Sequence, residues 1–409
     1  MGLRALLPPE GPTRPLAAST LVNTVGNGLF LTGSVLFFTR SVGLSPPQVG
    51  AGLTVAGLCG LLVGVPAGHL ADRRGAREVL VALNVGAAAA MAAFALVGSF
   101  ATFLLVACAY AGFSRAASAV RQALLAGVLP ADQRVRGRAY LRAVTNAGIA
   151  LGAAAAGLAL AADTRAAYLA LVLGNAVTYL LAAALLLRLP RVEPVPATPD
   201  GPGMLAVLGD RPYVAMVVLT AVLALHQGVL EIAVPLWVVG HTDAPRSVIA
   251  VLFLVNTVMC VLLQVRASRG VDSLPGSARA CARGGVLLGL ACLVYAAAAG
   301  RGPGLAVGLL VGAALVHVAG ELLTSAGGWG LGFGLAPDAR QGQYQGLFST
   351  GQASAEMVGP LVLTVLVVGG GTAGFAGLGA LLAVAGLGLV PVTAWAARTR
   401  LQVPAATPR

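Results

Sequence analysis

The sequence predicts an all-α integral membrane protein with twelve transmembrane helices in two six-helix bundles. Composition, the spacing of the apolar runs and one polar interruption near the middle predict it. Of 409 residues, 58% are hydrophobic and 10% are charged, with a mean hydropathy of +0.88. A soluble chain carries about 25% charged residues, so this one cannot cover a water-facing surface, and a soluble enzyme is excluded. A spanning helix needs about 20 apolar residues, which leaves no room for a sizeable extramembrane domain beside twelve.

The runs follow in order, separated by Arg, Pro and Asp clusters. The first, 16–39, ends at Arg40; the second, 48–70, follows Pro46-Pro47 and stops short of Asp72. The third and fourth are 78–98 and 101–124. The fifth, 139–161, starts past Arg134, Arg136 and Arg138, and the sixth is 165–188. From Arg188 to Gly203 the chain turns Pro-rich and polar, which reads as a linker. The expected organisation is an N-terminal bundle 1–189, a linker 190–211 and a C-terminal bundle 212–409. The seventh run, 212–239, contains Pro235, where a kink is expected; the eighth and ninth are 246–266 and 283–300. The tenth, 303–326, precedes a Gly-rich stretch, Gly327–Gly334, expected to let it bend, and 342–368 and 372–397 complete the set. Leu-Pro130-Ala-Asp132-Gln-Arg134 is echoed by Pro337-Asp338-Ala-Arg340, as in transporters built from two related halves.

The net charge is +12, and every one of the 26 basic residues is Arg. In a soluble protein that excess would suggest nucleic acid; here it marks inner loops, and no nucleic-acid partner is expected. Placing both termini in the cytoplasm leaves only Arg40, Arg165, Arg246 and Arg301 on outer loops, so a multi-pass protein of a bacterial plasma membrane is expected. The five cysteines are odd in number, lie in or beside apolar runs and read as free thiols; the N-terminal segment has no cleavable-leader pattern.

The strongest local pattern is Gly68-His-Leu-Ala-Asp72-Arg73-Arg74-Gly75-Ala-Arg77, between the second and third runs. Gly68 suits close helix approach, Gly75 a turn that a Cβ would oppose, and Asp72 an anion facing an Arg or a helix N-terminus. The pattern resembles the loop signature of the major facilitator superfamily, and with the six-plus-six runs the resemblance covers the whole chain. It implies alternating access, in which two helical halves rock about a central cavity. It further implies that Asp72 belongs to an inner gate that contacts the second half near the eleventh run, with Arg121 as its Arg partner in the first half.

Within the superfamily the chain is similar to twelve-helix bacterial drug/proton antiporters. The fourth run carries Arg115 and Arg121-Gln122, and the fifth carries Gly148-Ile-Ala-Leu-Gly152-Ala-Ala-Ala-Ala-Gly157, without the Pro of the antiporter motif; a Gly359-Pro360 pair lies in the eleventh run instead. This likeness implies proton-coupled efflux of a small, partly apolar compound, driven by the proton gradient with no cofactor. Uptake or facilitated transport of a metabolite is the alternative, and a channel or intramembrane enzyme a remote one. A monomer among membrane lipids is expected.

An ionised side chain near the bilayer centre costs at least about 2.5–3.5 kcal/mol, so each must face a cavity or a partner. Glu356, Glu231 and Glu321 meet this description. His226 and Gln227 lie about one turn from Glu231, and His317 lies four residues before Glu321 on the same helical face, which predicts a protonatable cluster in the second half. Arg115, Asn23, Asn27 and Asn146 could line the same path, the Asn residues having interhelical hydrogen bonds as the alternative. His317-Val-Ala-Gly-Glu321 has metal-ligating residue types, but it lacks the second His of a zinc-protease helix, and no metal is expected.

Overall fold

A computed structural model describes residues 11, 13–162, 164–191, 194, 203, 205–271 and 273–401. Most of the linker and both chain ends therefore lie outside the described residues. Among these residues there is helix and turn and no strand. The chain divides into two compact units, residues 1–205 with 337–350 and residues 206–336 with 351–409.

Unit 1 contains α1 (Thr13–Leu36, continued by a π turn Phe37–Ser41), α2 (Pro46–Leu62), α3 (Gly64–Arg74), α4 (Ala76–Ala93), α5 (Phe100–Val128), α6 (Ala131–Ala162) and α7 (Arg165–Leu186). Several starts are capped by short polar residues. Ser45 and Ser99 form capping boxes with Gln48 and Thr102, and Thr164 accepts from the Ala167 N–H. α2 and α3 are one predicted run bent by 41°. Pro66 supplies the cause: it has no N–H for the Leu62 carbonyl, and its ring crowds that carbonyl. α1 lies against α6 at van der Waals distance because Gly148 and Gly152 face it; a methyl group at Gly152 would overlap the Val25 carbonyl. Two of the three glycines that resemble the antiporter motif, Gly148 and Gly152, are thus accounted for by close packing, while Gly157 has open space around it.

Unit 2 contains α8 (Arg211–Ala224), α9 (His226–Gly228), α10 (Val234–His241), α11 (Val248–Ala267), α12 (Leu274–Ala297), α13 (Pro303–Gly334), α14 (Gln341–Leu363, whose first ten residues belong to unit 1) and α15 (Gly369–Leu401). A π turn, Val229–Ala233, joins α9 to α10 beside Pro235, where the kink was expected. The Gly-rich stretch does not break its helix. α13 runs unbroken to Gly334, and Gly327 and Gly330 face Ser277 and Cys281 of α12, so these glycines bring two helices together. The core of this unit is apolar and aromatic, with Trp237, Tyr295 and Phe375 in mutual contact and the Trp237 indole donating to the Tyr295 carbonyl at 2.9 Å.

Among the described residues, nine helices are long and apolar enough to cross a membrane, and the bent α2–α3 pair makes a tenth. Large apolar side chains along these helices stay exposed, Leu62, Leu105, Leu254 and Leu361 among them, as a lipid-facing surface requires. All five cysteines are free. Polar residues of α1 and α6 line the cavity described next.

Candidate functional site

α1, α5, α6 and α7 enclose a cavity of about 290 Å³ inside unit 1. α1 contributes Thr20, Asn23, Thr24 and Asn27, spaced i, i+3, i+4 and i+7, which places all four on one helical face. α5 contributes Tyr110, Arg115, Arg121 and Gln122, α6 Arg138 and Thr145, and α7 Tyr179. Three guanidinium groups thus share one cavity, and among the described residues its lining contains no carboxylate. A guanidinium stays charged at any physiological pH, so the wall carries a fixed positive potential.

Hydrogen bonds hold this wall in place. Tyr179 donates from its hydroxyl to Asn27 Oδ1 at 3.0 Å. Its single proton is committed there, so the 3.2 Å contact between the two tyrosine hydroxyls has Tyr110 as donor. Arg121 donates from Nη2 to Asn23 Oδ1 at 3.2 Å, and among the described residues it forms no ion pair. Asn23 Nδ2 and Gln122 Oε1 are buried on the same lining with no hydrogen-bond partner among the described residues, one donor and one acceptor. Buried polar atoms are almost always paired, so this pair marks a place for a ligand or water.

The structure corrects one assignment. Arg121 does not partner Asp72: it points into the cavity and bonds an amide. Asp72 instead caps the N-terminus of α14, its two carboxylate oxygens accepting from the Gly342 and Gln343 N–H groups at 2.7 and 2.9 Å. These are orphan donors of a helix first turn, where negative charge is favoured. The contact depends on Gly68, because a methyl group there would overlap the Gly342 carbonyl, and one at Gly342 would crowd the Asp72 carboxylate. Gly75 has φ +91° between α3 and α4, a conformation that a Cβ would oppose. Arg77 donates to the Leu189 carbonyl at 2.7 Å and pairs with Glu78 at 3.0 Å, while Arg73 is exposed. Arg134 pairs with Asp338 at 3.1 Å, joining one echoed segment to the other.

In unit 2, His226 of α9 and His317 and Glu321 of α13 lie side by side, all buried. Asn256 of α11 donates to Glu321 Oε2 at 2.9 Å. Glu231, in the π turn, and Glu356, on α14, do not belong to this cluster and are exposed. Each stands four residues before a proline, Pro235 and Pro360, so each contributes a backbone carbonyl that its helix leaves without the usual donor. Gln227 is half-buried beside His226 in sequence, and Asn146 is half-buried on α6 but is not part of the cavity lining. Sequence reasoning missed Tyr110, Tyr179 and the cavity position of Arg138. The i, i+3, i+4, i+7 polar face of α1 was the signal that could have pointed to the cavity.

A helical chain with many spans of membrane length and a cationic internal cavity suits a carrier. The family model of the Major Facilitator Superfamily matches residues 16–360. The chain belongs to the major facilitator superfamily. It is a multi-pass membrane transporter and not an enzyme, as its family is. Solved major facilitator structures share its fold. A bacterial homologue of the iron transporter ferroportin, in the outward-facing state, is 18% identical with a TM-score of 0.72, over 95% of this chain and 100% of that one. The human organic anion transporter MFSD10 (TETRAN) is 18% identical with a TM-score of 0.69, over 93% and 100%. The proton:xylose symporter XylE, bound to 6-bromo-6-deoxy-D-glucose, is 15% identical with a TM-score of 0.64, over 92% and 95%. No curated protein matches the chain by sequence.

Proposed function

We propose that this major facilitator exports a small, partly apolar compound bearing a negative charge, by alternating access coupled to protons, from the cytoplasm of a bacterial cell with both termini inside. The observation that carries the substrate reading is Arg121, a fixed cation on a cavity wall whose hydrogen-bond acceptor is a neutral amide, beside an unpartnered amide N–H of Asn23. Placing a guanidinium in a low-dielectric wall costs several kcal/mol unless an anion completes it. The Tyr110, Tyr179 and Leu141 surfaces supply apolar contact. The organic anion carrier among the fold neighbours is consistent with this chemistry.

Residues 1–189 and 212–409 are taken as the two rocking bundles of a monomer surrounded by lipid, and Asp72 with the α14 N-terminus as an inner gate. Glu356 and Glu231 are assigned to the proton path, since each is a carboxylate within an apolar span at a proline break, where the helix can adjust. Export rests on the resemblance to drug/proton antiporters.

The experiment uses proteoliposomes with an imposed pH gradient and a matched set of anionic, neutral and cationic aromatic compounds. Anionic members should move against the proton flux and compete with one another. Equal competition by the cationic members would overturn the substrate assignment, and flux indifferent to the gradient would overturn the coupling. Glu356→Gln should abolish gradient-driven accumulation while exchange continues; unchanged pumping would remove Glu356 from the proton path.

A further inference from the structure

We infer that unit 2 holds a binding site for one divalent first-row transition metal ion, formed by a ring nitrogen of His226, a ring nitrogen of His317 and a carboxylate oxygen of Glu321. The inference is independent of the anion reading, which concerns other residues in the other unit. The three donor atoms lie within 4.8 Å of one another, and all three residues are buried, with relative exposures of 3%, 2% and 6%. A tetrahedral ion at about 2.0–2.1 Å from nitrogen and oxygen ligands needs donors about 3.4 Å apart. Side-chain rotations that shift the donor atoms by about an ångström would close that gap.

Chemistry selects the ion. Two imidazoles and one carboxylate suit Zn²⁺, Co²⁺ or Fe²⁺ and disfavour Mg²⁺ and Ca²⁺, which take oxygen ligands. His317 Nδ1 is buried and makes no hydrogen bond among the described residues, which an inert core histidine would ordinarily make. The imidazole centroids are 5.5 Å apart with the rings inclined at 68°, an edge-on arrangement that leaves neither ring stacked flat on the other. Glu321 is oriented from outside by the Asn256 amide at 2.9 Å, as metal-bound carboxylates usually are by a second group.

The three ligands come from two helices 91 positions apart, from His226 to His317, so no local motif announces the site. His226 sits on the three-residue α9, immediately before the π turn Val229–Ala233. An ion there would tie the broken part of this span to the unbroken α13.

The test uses full-length protein purified in detergent without a polyhistidine tag and titrated with Co²⁺, followed by visible absorption and by metal content after desalting. The expected result is one Co²⁺ per chain with a ligand-field band in the visible, displaced stoichiometrically by Zn²⁺ and not by Mg²⁺ or Ca²⁺. His317→Asn and Glu321→Gln should each weaken binding at least 100-fold and abolish the band, whereas Asn256→Ala should weaken it about 10-fold. His241→Asn, outside the cluster, should change nothing. Zn²⁺ should raise the melting temperature of the wild type and not that of His317→Asn, which separates lost binding from lost folding. A wild-type chain that takes up no Co²⁺, or binding that survives both ligand variants, would overturn the site.

Discussion

Units 1 and 2 both hold ionisable side chains within apolar helices, and they meet the cost of doing so differently. In unit 1 the charges are arginines spread over α5 and α6 around a cavity, with neutral amides and tyrosine hydroxyls between them. In unit 2 two histidines and a glutamate are packed directly against one another. The helices differ to match. α1 presents Thr20, Asn23, Thr24 and Asn27 along one face, while α13 is strongly apolar apart from His317, Glu321, Thr324 and Ser325. A cavity wall needs polar residues repeated along a whole helical face, whereas a closed cluster needs only one pair at i, i+4 and a partner from elsewhere.

The largest effect should come where unit 1 has neither cavity nor room. Gly68→Val places a branched side chain into the Gly342 carbonyl, and crowding of that kind costs about 1–3 kcal/mol or more. Transport should fall to background, with a lower melting temperature in detergent. Full activity would show that the α3–α14 contact is dispensable and that the contrast between the units lies in the cavity alone.

Next is the cavity itself. A hydrogen bond to a charged group contributes about 1.5–3 kcal/mol, so Arg121→Met should weaken binding of an anionic substrate about 10- to 100-fold, read by competition in proteoliposomes. Binding of a neutral analogue should change by less than about threefold. Equal losses for both would make Arg121 a structural residue, and the two units would then differ only in layout.

The fold was legible in the sequence because its determinants are local. Apolar runs of membrane length, with Arg and Pro between them, placed a helix at each of the twelve runs, and Gly75 and Pro235 announced a turn and a break. Helix ends were less legible: α12 begins at Leu274, nine residues ahead of the apolar run, because Ser273 caps it and Pro275 fits its first turn. The sites were half legible. Asp72 was readable as an anion facing an Arg or a helix N-terminus, and three-dimensional structure decided for the N-terminus. His317 and Glu321 were readable as a pair, but His226 meets them only because α9 and α13 pack together. Tyr179 looks in sequence like any buried aromatic, and nothing local says that its hydroxyl reaches Asn27 across 152 positions.

Asp72→Asn should have a smaller effect than either change above. It keeps one acceptor oxygen but turns an amide N–H₂ toward a backbone donor, removing one charge-assisted bond and the favourable interaction with the helix dipole, together about 1–3 kcal/mol. Turnover should slow about 5- to 50-fold with substrate affinity unchanged. Unchanged turnover would deny the gate role.

The smallest effect belongs to Arg134→Ala. Its 3.1 Å pair with Asp338 joins the two echoed segments, and this makes it look important in a diagram of the chain. The Asp338 side chain, however, is 86% exposed against 15% for Arg134, so water screens the pair and competes for the carboxylate. Exposed pairs of this kind contribute 0 to about 1 kcal/mol, and salt weakens them further. Arg134 also donates to the Leu129 carbonyl at 3.4 Å, a long bond of little strength. Melting temperature should therefore stay within about 4 °C and transport rate within about twofold of wild type, with any difference vanishing at high salt. A loss comparable to that of Asp72→Asn would mean that the Pro130 and Pro337 segments act as a second latch on unit 1, and that its contact with α14 is held by surface charge as well as by the buried cap.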